Sequence, residues 1–95
     1  MKNYRFIRSG NYVIIGGDIL SINMLKVGQD WLAGKSLAHI ISVDQDTIKY
    51  QDDSSGEIFE RDSFGFQCRY CLIVQPHEMN YYIQVLQMNS HVEEL

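Results

Sequence analysis

Only one proline (Pro76), one tryptophan (Trp31) and two cysteines (Cys68 and Cys71) occur in these 95 residues. So little proline, set beside a 45% hydrophobic fraction and 12% aromatic residues, is the composition of a folded chain rather than a disordered one. Two cysteines are too few for the disulfide framework of a short secreted domain and fit a reducing compartment. No apolar stretch approaches the roughly 20 residues that a membrane-spanning helix needs. The first residues, Met1-Lys2-Asn3-Tyr4-Arg5-Phe6-Ile7-Arg8, spread charge through a segment without the apolar centre of a signal peptide. A soluble cytoplasmic protein is expected, with no role for a membrane.

Catalytic signatures are missing too. Gly16-Gly17 does not extend to G-x-G-x-x-G, and Gly34-Lys35-Ser36 lacks the first glycine of a phosphate loop. The chain holds no serine elbow, no paired-histidine metal motif and no carboxylate pair with an arguable placement. Neither an enzyme nor a cofactor is expected.

What is present is a series of short alternating runs broken by acidic and glycine-bearing turns. Ser36–Val43, Thr47–Gln51 and Glu57–Glu60 read as strands, separated by Asp44-Gln45-Asp46-Thr47 and by Asp52-Asp53-Ser54-Ser55-Gly56. In the first run Leu37, His39, Ile41 and Val43 share a face, opposite Ala38, Ile40 and Ser42. His39 reads as a core histidine bonded to a backbone carbonyl. Before these strands, Met24–Gly34 reads as a loop carrying Trp31 onto the core. The expected core holds Trp31, Ile41, Ile48, Tyr50 and Phe64. Upstream, Asn3–Arg8 reads as an edge strand, and Gly16-Gly17 as a tight turn or bulge between Tyr12–Ile15 and Asp18–Ile22.

Downstream, Phe66–Val74 reads as a strand stopped by Pro76. Residues 77–88 then admit two readings. Met79, Tyr82, Ile83 and Leu86 fall at helical spacing behind a Pro76-His77-Glu78 first turn, whereas Tyr81–Val85 is rich in strand formers. The strand is slightly favoured, with a fraying tail from Asn89 to Leu95. Cys68 and Cys71 have C-x-x-C spacing, but on a strand they point to opposite faces. With His77 as a third donor and His39 as a distant fourth, a metal site is left open but not expected.

The net charge of −4 is unevenly spread. Lys2, Arg5, Arg8, Lys26 and Lys35 outweigh Asp18 and Asp30 in residues 1–35. In residues 44–62, Asp44, Asp46, Asp52, Asp53, Glu57, Glu60 and Asp62 outweigh Lys49 and Arg61. Acidic turns of this kind solvate exposed strands, and they can also meet a basic partner.

The order Gly28-x-x-Trp31, then Ile40-x-x-Val43-x-x-Asp46-x-Ile48-x-Tyr50, then Gly56 and Phe64, resembles small SH3-like barrel domains of phage and bacterial origin. The likeness covers residues 28–64 and rests on aromatic, glycine and aliphatic positions. It implies a barrel acting by contact, as an accessory or inhibitor of a larger protein.

The expected fold is therefore all-β, or β-rich α+β: one small domain over residues 1–95, a mainly antiparallel SH3-like barrel with additions at both ends. The expected function is a non-enzymatic interaction module that binds a larger partner with a basic surface through Trp31, Tyr50, Asp52, Asp53, Glu57 and Glu60. Apolar residues on both faces of the 36–43 strand also point to a homodimer. The alternative is nucleic-acid binding, with Lys2, Tyr4, Arg5 and Arg8, beside Phe6 and Tyr12, interleaving basic and stacking side chains.

Overall fold

In the computed structural model, which describes residues 1–95, strands account for 49% of the chain and helices for 23%. The class is β-rich with two helices, rather than all-β. The strands are β1 (Lys2–Ser9), β2 (Tyr12–Gly17), β3 (Asp30–Ala33), β4 (Ser36–Asp44), β5 (Thr47–Asp52), β6 (Ile58–Asp62), β7 (Cys71–Val74) and β8 (Ser90–Glu94). The helices are α1 (Ser63–Arg69) and α2 (Met79–Gln87), and single 3-10 turns lie at Ile22–Met24 and Pro76–Glu78. The chain divides into two compact units, residues 19–71 and residues 1–18 with 72–95.

Within residues 19–71, β6, β5, β4 and β3 lie side by side in that order, every pair antiparallel. Both expected hairpin turns form. Gln45 takes a left-handed conformation in the first (φ 55°) and Gly56 in the second (φ 74°). Asp52 shapes the second turn by accepting hydrogen bonds from Ser54 Oγ (2.8 Å), Ser55 N (2.9 Å) and Ser55 Oγ (2.9 Å).

Register places Trp31 beside Ala38, and Ile40 beside Tyr50, with Ile48 one pleat further along the same face. All five are at most 2% exposed. Helix α1 covers that face with Phe66, and Tyr70 follows at its C-cap. Ring centroids lie 5.1 Å apart for Trp31–Phe66, 4.9 Å for Tyr50–Phe66 and 5.5 Å for Tyr50–Tyr70. Burial of each such side chain stabilises by roughly 1.5–3 kcal/mol, and aromatic pairs add about 0.5–1.5 kcal/mol. Gln67 ties α1 to the segment before the Ile22–Met24 turn: its Nε2 donates to Leu20 O (3.0 Å) and its Oε1 accepts from Leu20 N (2.8 Å).

This arrangement corrects several expectations. The four strands keep an open order and do not close into a barrel; residues 63–69 form a helix that covers the apolar face instead. The 66–74 segment is thus helix followed by the short β7, not one strand. Trp31 lies within β3, not on a loop. Of the five expected core residues, Trp31, Ile48 and Tyr50 are buried. Ile41 sits at the bulge between Ile40 and Ser42 and is 38% exposed. Phe64 is 62% exposed; at 100° per residue it lies well around α1 from the buried Phe66.

In the other unit the order is β7-β2-β1-β8. β2 pairs antiparallel with both β1 and β7, while β8 pairs parallel with β1 from Lys2↔Ser90 to Phe6↔Glu94. β1 is therefore paired on both sides and is no edge strand, and the 89–95 tail is an ordered strand rather than a frayed end. Gly16 and Gly17 continue β2 instead of turning the chain; the turn falls at Gly10, with φ 62°. Residues 18–22 make no strand.

The favoured strand over residues 81–85 is a helix. Pro76 opens its 3-10 entry, and a capping box closes it: Gln75 N donates to Glu78 Oε1 (2.9 Å). Met79, Tyr82, Ile83 and Leu86, the residues at helical spacing, are the four that α2 buries. Packing of that stripe outweighs the strand propensity of Tyr81–Val85.

Candidate functional site

β6 ends the strand order of its unit, and all five of its residues are exposed. Asp52 N donates to Glu57 O (2.8 Å), and Ser63 N donates to Asp46 O (2.8 Å). In an antiparallel ladder hydrogen-bonded and non-bonded pairs alternate. The pairs Asp52/Glu57, Tyr50/Phe59, Ile48/Arg61 and Asp46/Ser63 therefore bond inward, and the N–H and C=O groups of Ile58, Glu60 and Asp62 point outward. Natural edges are guarded by charge, and Glu60, Arg61 and Asp62 do this in part. Ile58 and Phe59 do not: they are 57% and 43% exposed.

On the α1 side of the sheet, a solvent-open groove of about 350 Å³ runs inward from Phe59 and Arg61 of β6. Tyr50, Phe59 and Tyr70 form its aromatic walls, Ser36 and Ser54 offer hydroxyls, and Asp52, Arg61 and Arg69 are its charged members. The Asp52 carboxylate is held by the Ser54 hydroxyl and then by Ser55, which keeps its pKa below the ordinary carboxylate value. Arg61 Nε donates to the Tyr50 hydroxyl (3.0 Å), which fixes the guanidinium at the rim. The Arg69 guanidinium carbon lies 5.8 Å from the Tyr70 ring centroid. Neither arginine has a carboxylate within ion-pair distance, and both are exposed.

The opposite face carries a charged cluster together with Leu32, Leu37 and Ile58. His39 Nδ1 hydrogen-bonds the Asp30 carboxylate and Nε2 lies 3.2 Å from Asp53 Oδ1. The Asp30 bond first, and the Asp53 bond second, raise the His39 pKa above its ordinary value. His39 is thus a half-exposed residue between two carboxylates, not a core histidine on a backbone carbonyl. Lys49 Nζ pairs with Glu60 Oε1 at 3.5 Å.

The sequence-derived partner residues therefore separate. Trp31 and Tyr50 are 1% and 2% exposed, because large aromatics in alternating runs went to the core, although Tyr50 still lines the groove. Asp52 builds its own turn, Asp53 meets His39 and Glu60 meets Lys49, so three of the four acidic groups are engaged within the chain. Glu57 is exposed beside β6.

Of the aromatic residues in the nucleic-acid alternative, two are buried and Tyr12 is half-buried. Tyr4 and Phe6 are 3% and 0% exposed, and strand alternation puts Arg5 on the opposite face of β1 from Lys2 and Arg8. Burial, then the Asp18 charge, raise the Tyr4 pKa, against a lowering hydrogen bond with Ser90. Cys68 lies on α1 and Cys71 at the start of β7, both exposed, and His77 lies in the 3-10 turn. No group of three or more His, Cys, Asp or Glu side chains is placed to hold a metal ion. No helix is long and apolar enough to cross a membrane.

Sequence reasoning missed Phe59, Arg61 and Arg69 as a set. The exposed Ile58-Phe59 pair was a visible signal, but reading 66–74 as a strand hid where Arg69 would point. Comparison with protein-family models, curated proteins and solved structures finds no match to this chain.

Proposed function

We propose that this chain is a non-enzymatic protein-interaction module that acts by contact on a larger protein, adding an extended segment of that partner to the free edge of β6. The observation that carries the reading is β6 itself: an end strand with outward N–H and C=O groups at Ile58, Glu60 and Asp62 and two exposed apolar side chains. Strand addition obtains its affinity from such main-chain groups and its selectivity from pockets beside alternate side chains. The groove next to Phe59 and Arg61 is a pocket of that kind. Engagement of Asp52, Asp53 and Glu60 within the chain shifts weight from an acidic ridge to this edge.

Affinity capture with tagged wild-type protein, Ile58→Lys and Glu60→Pro tests the reading. Lysine guards an edge, and proline removes an outward donor where the ladder does not use it. Partners retained by wild type should be lost from both variants while thermal stability stays close to wild type. Equal retention by both variants overturns the edge as the binding element.

A further inference from the structure

In a chain whose acidic residues outnumber its basic ones, twelve to eight, Arg61 and Arg69 are exposed and, like Lys26 and Lys35 of their unit, have no carboxylate within ion-pair distance. Seven of those acidic residues lie in residues 44–62, and Lys49 and His39 of the same unit do find carboxylates. Arg61 and Arg69 do not, and they share one groove with three aromatic side chains. Asp52 is the groove's single carboxylate, and its neighbouring hydroxyls and amide occupy it. Arg61 commits Nε to Tyr50, so the end of its guanidinium fork remains available; that fork matches the two oxygens of a carboxylate. A chain added outside β6 would place its alternate side chains beside Phe59 and Arg61.

We infer that this groove recognises an aspartate or glutamate side chain of an extended partner peptide, with Arg61 as the direct carboxylate donor and Arg69 supporting it across the groove. The inference rests on the β6-edge reading and adds the partner's chemistry. The occupant is an acidic β-strand peptide, selected by charge complementarity to the groove. The Phe59 and Tyr70 rings bound the same space and favour the aliphatic stem of the acidic residue.

The test uses the full chain and a displayed library of random linear peptides. Peptides selected on wild type should carry Asp or Glu at one fixed position. Each should lose at least about tenfold in affinity with Arg61→Gln and with Arg69→Gln, as expected when a charge-assisted hydrogen bond is removed. They should also lose binding with Glu60→Pro and, as a second edge variant, Ile58→Lys. Peptides that depend on both edge variants but show no acidic position and no response to the arginine variants overturn the carboxylate inference and leave the edge reading intact. Acidic peptides that need the arginines but ignore both edge variants overturn the edge reading. A library that yields no binder overturns both. Binding by a second copy of the chain, seen as a concentration-dependent dimer lost on Ile58→Lys, also overturns the peptide assignment.

Discussion

His39 and Asp30 stand in register on β4 and β3, and the imidazole Nδ1 hydrogen-bonds the Asp30 carboxylate while Nε2 reaches Asp53. The strand pairing puts the first carboxylate there, and the β5–β6 turn supplies the second. A charged imidazole is the form that both carboxylates favour, so the folded-state pKa lies above the ordinary value.

Stability should carry this signature with a definite sign. A raised folded pKa stabilises fully below the unfolded value of about 6.5, and the contribution is lost as pH rises through the folded value. The melting difference between wild type and His39→Gln should be largest below about pH 6.5 and shrink above it. Both partners are more than a third exposed, which keeps the effect small. By NMR titration, Asp30→Asn should return His39 toward its ordinary value more than Asp53→Asn does. A His39 that titrates at or below about 6.5 in wild type would contradict the paired geometry.

Phe66 and Phe64, two residues apart on α1, should respond oppositely to truncation. Phe66 is fully buried against Trp31, Tyr50 and Tyr70, so Phe66→Ala should cost about 3–5 kcal/mol in urea unfolding. Phe64 is exposed, and Phe64→Ala should stay within about 0.5 kcal/mol of wild type. Comparable losses from both would mean that α1 is rotated from this orientation.

The contrast between those residues shows what the sequence made legible. Period-two alternation located β4 and β5, because half-buried strands in a meander write their burial into neighbouring residues, whereas β6, exposed throughout, was marked only by the acidic turn before it. The α1 segment has no comparable signature: in seven residues it buries only Ser63 and Phe66, so helix and strand patterns coincide there. α2 was legible in its buried stripe and proline entry, yet Tyr81–Val85 carried an opposing propensity that local reasoning could not weigh. The groove was less legible still. It depends on α1 bringing Arg69 to the groove that Arg61 lines, a tertiary consequence of a helix that the pattern did not reveal. β8 depends on a parallel partner some ninety residues earlier in the chain, about as non-local as a contact can be.

The paired glycines of β2 should prove unequal. Gly17 has φ 111°, and a Cβ there would overlap the Asn3 carbonyl oxygen and come within 3.0 Å of Tyr4 Cα. Both obstacles are backbone atoms of β1, which cannot move aside cheaply. Gly17→Ala should destabilise by at least about 1–3 kcal/mol, the cost of a strained backbone conformation. Gly16 has no such φ and no atom within 4 Å of its virtual Cβ, so Gly16→Ala should be neutral or stabilise by about 0.4–1 kcal/mol. Thermal unfolding of the two single variants gives the comparison, and equal destabilisation would argue against the β1–β2 register.

Deleting residues 89–95 should release one side of β1 and leave the other protected. Asn3 O accepts from Asp18 N (3.0 Å), which fixes the odd-numbered residues of β1 as those bonded toward β2. The even-numbered residues then face β8, in agreement with the Leu95 N to Phe6 O bond of 2.8 Å. In the truncated protein the amides of Tyr4 and Phe6 should exchange with solvent markedly faster, while those of Arg5 and Ile7 remain slow. The Tyr4 hydroxyl also loses its Ser90 partner. A lost hydrogen bond costs about 0.5–1.5 kcal/mol, and with the β8 pairing gone as well the midpoint should fall. A frayed tail would give a different result: no change in exchange at Tyr4 or Phe6 and an unchanged midpoint. Uniform loss of protection along β1 would instead show that β8 is required for the β1–β2 hairpin to persist at all.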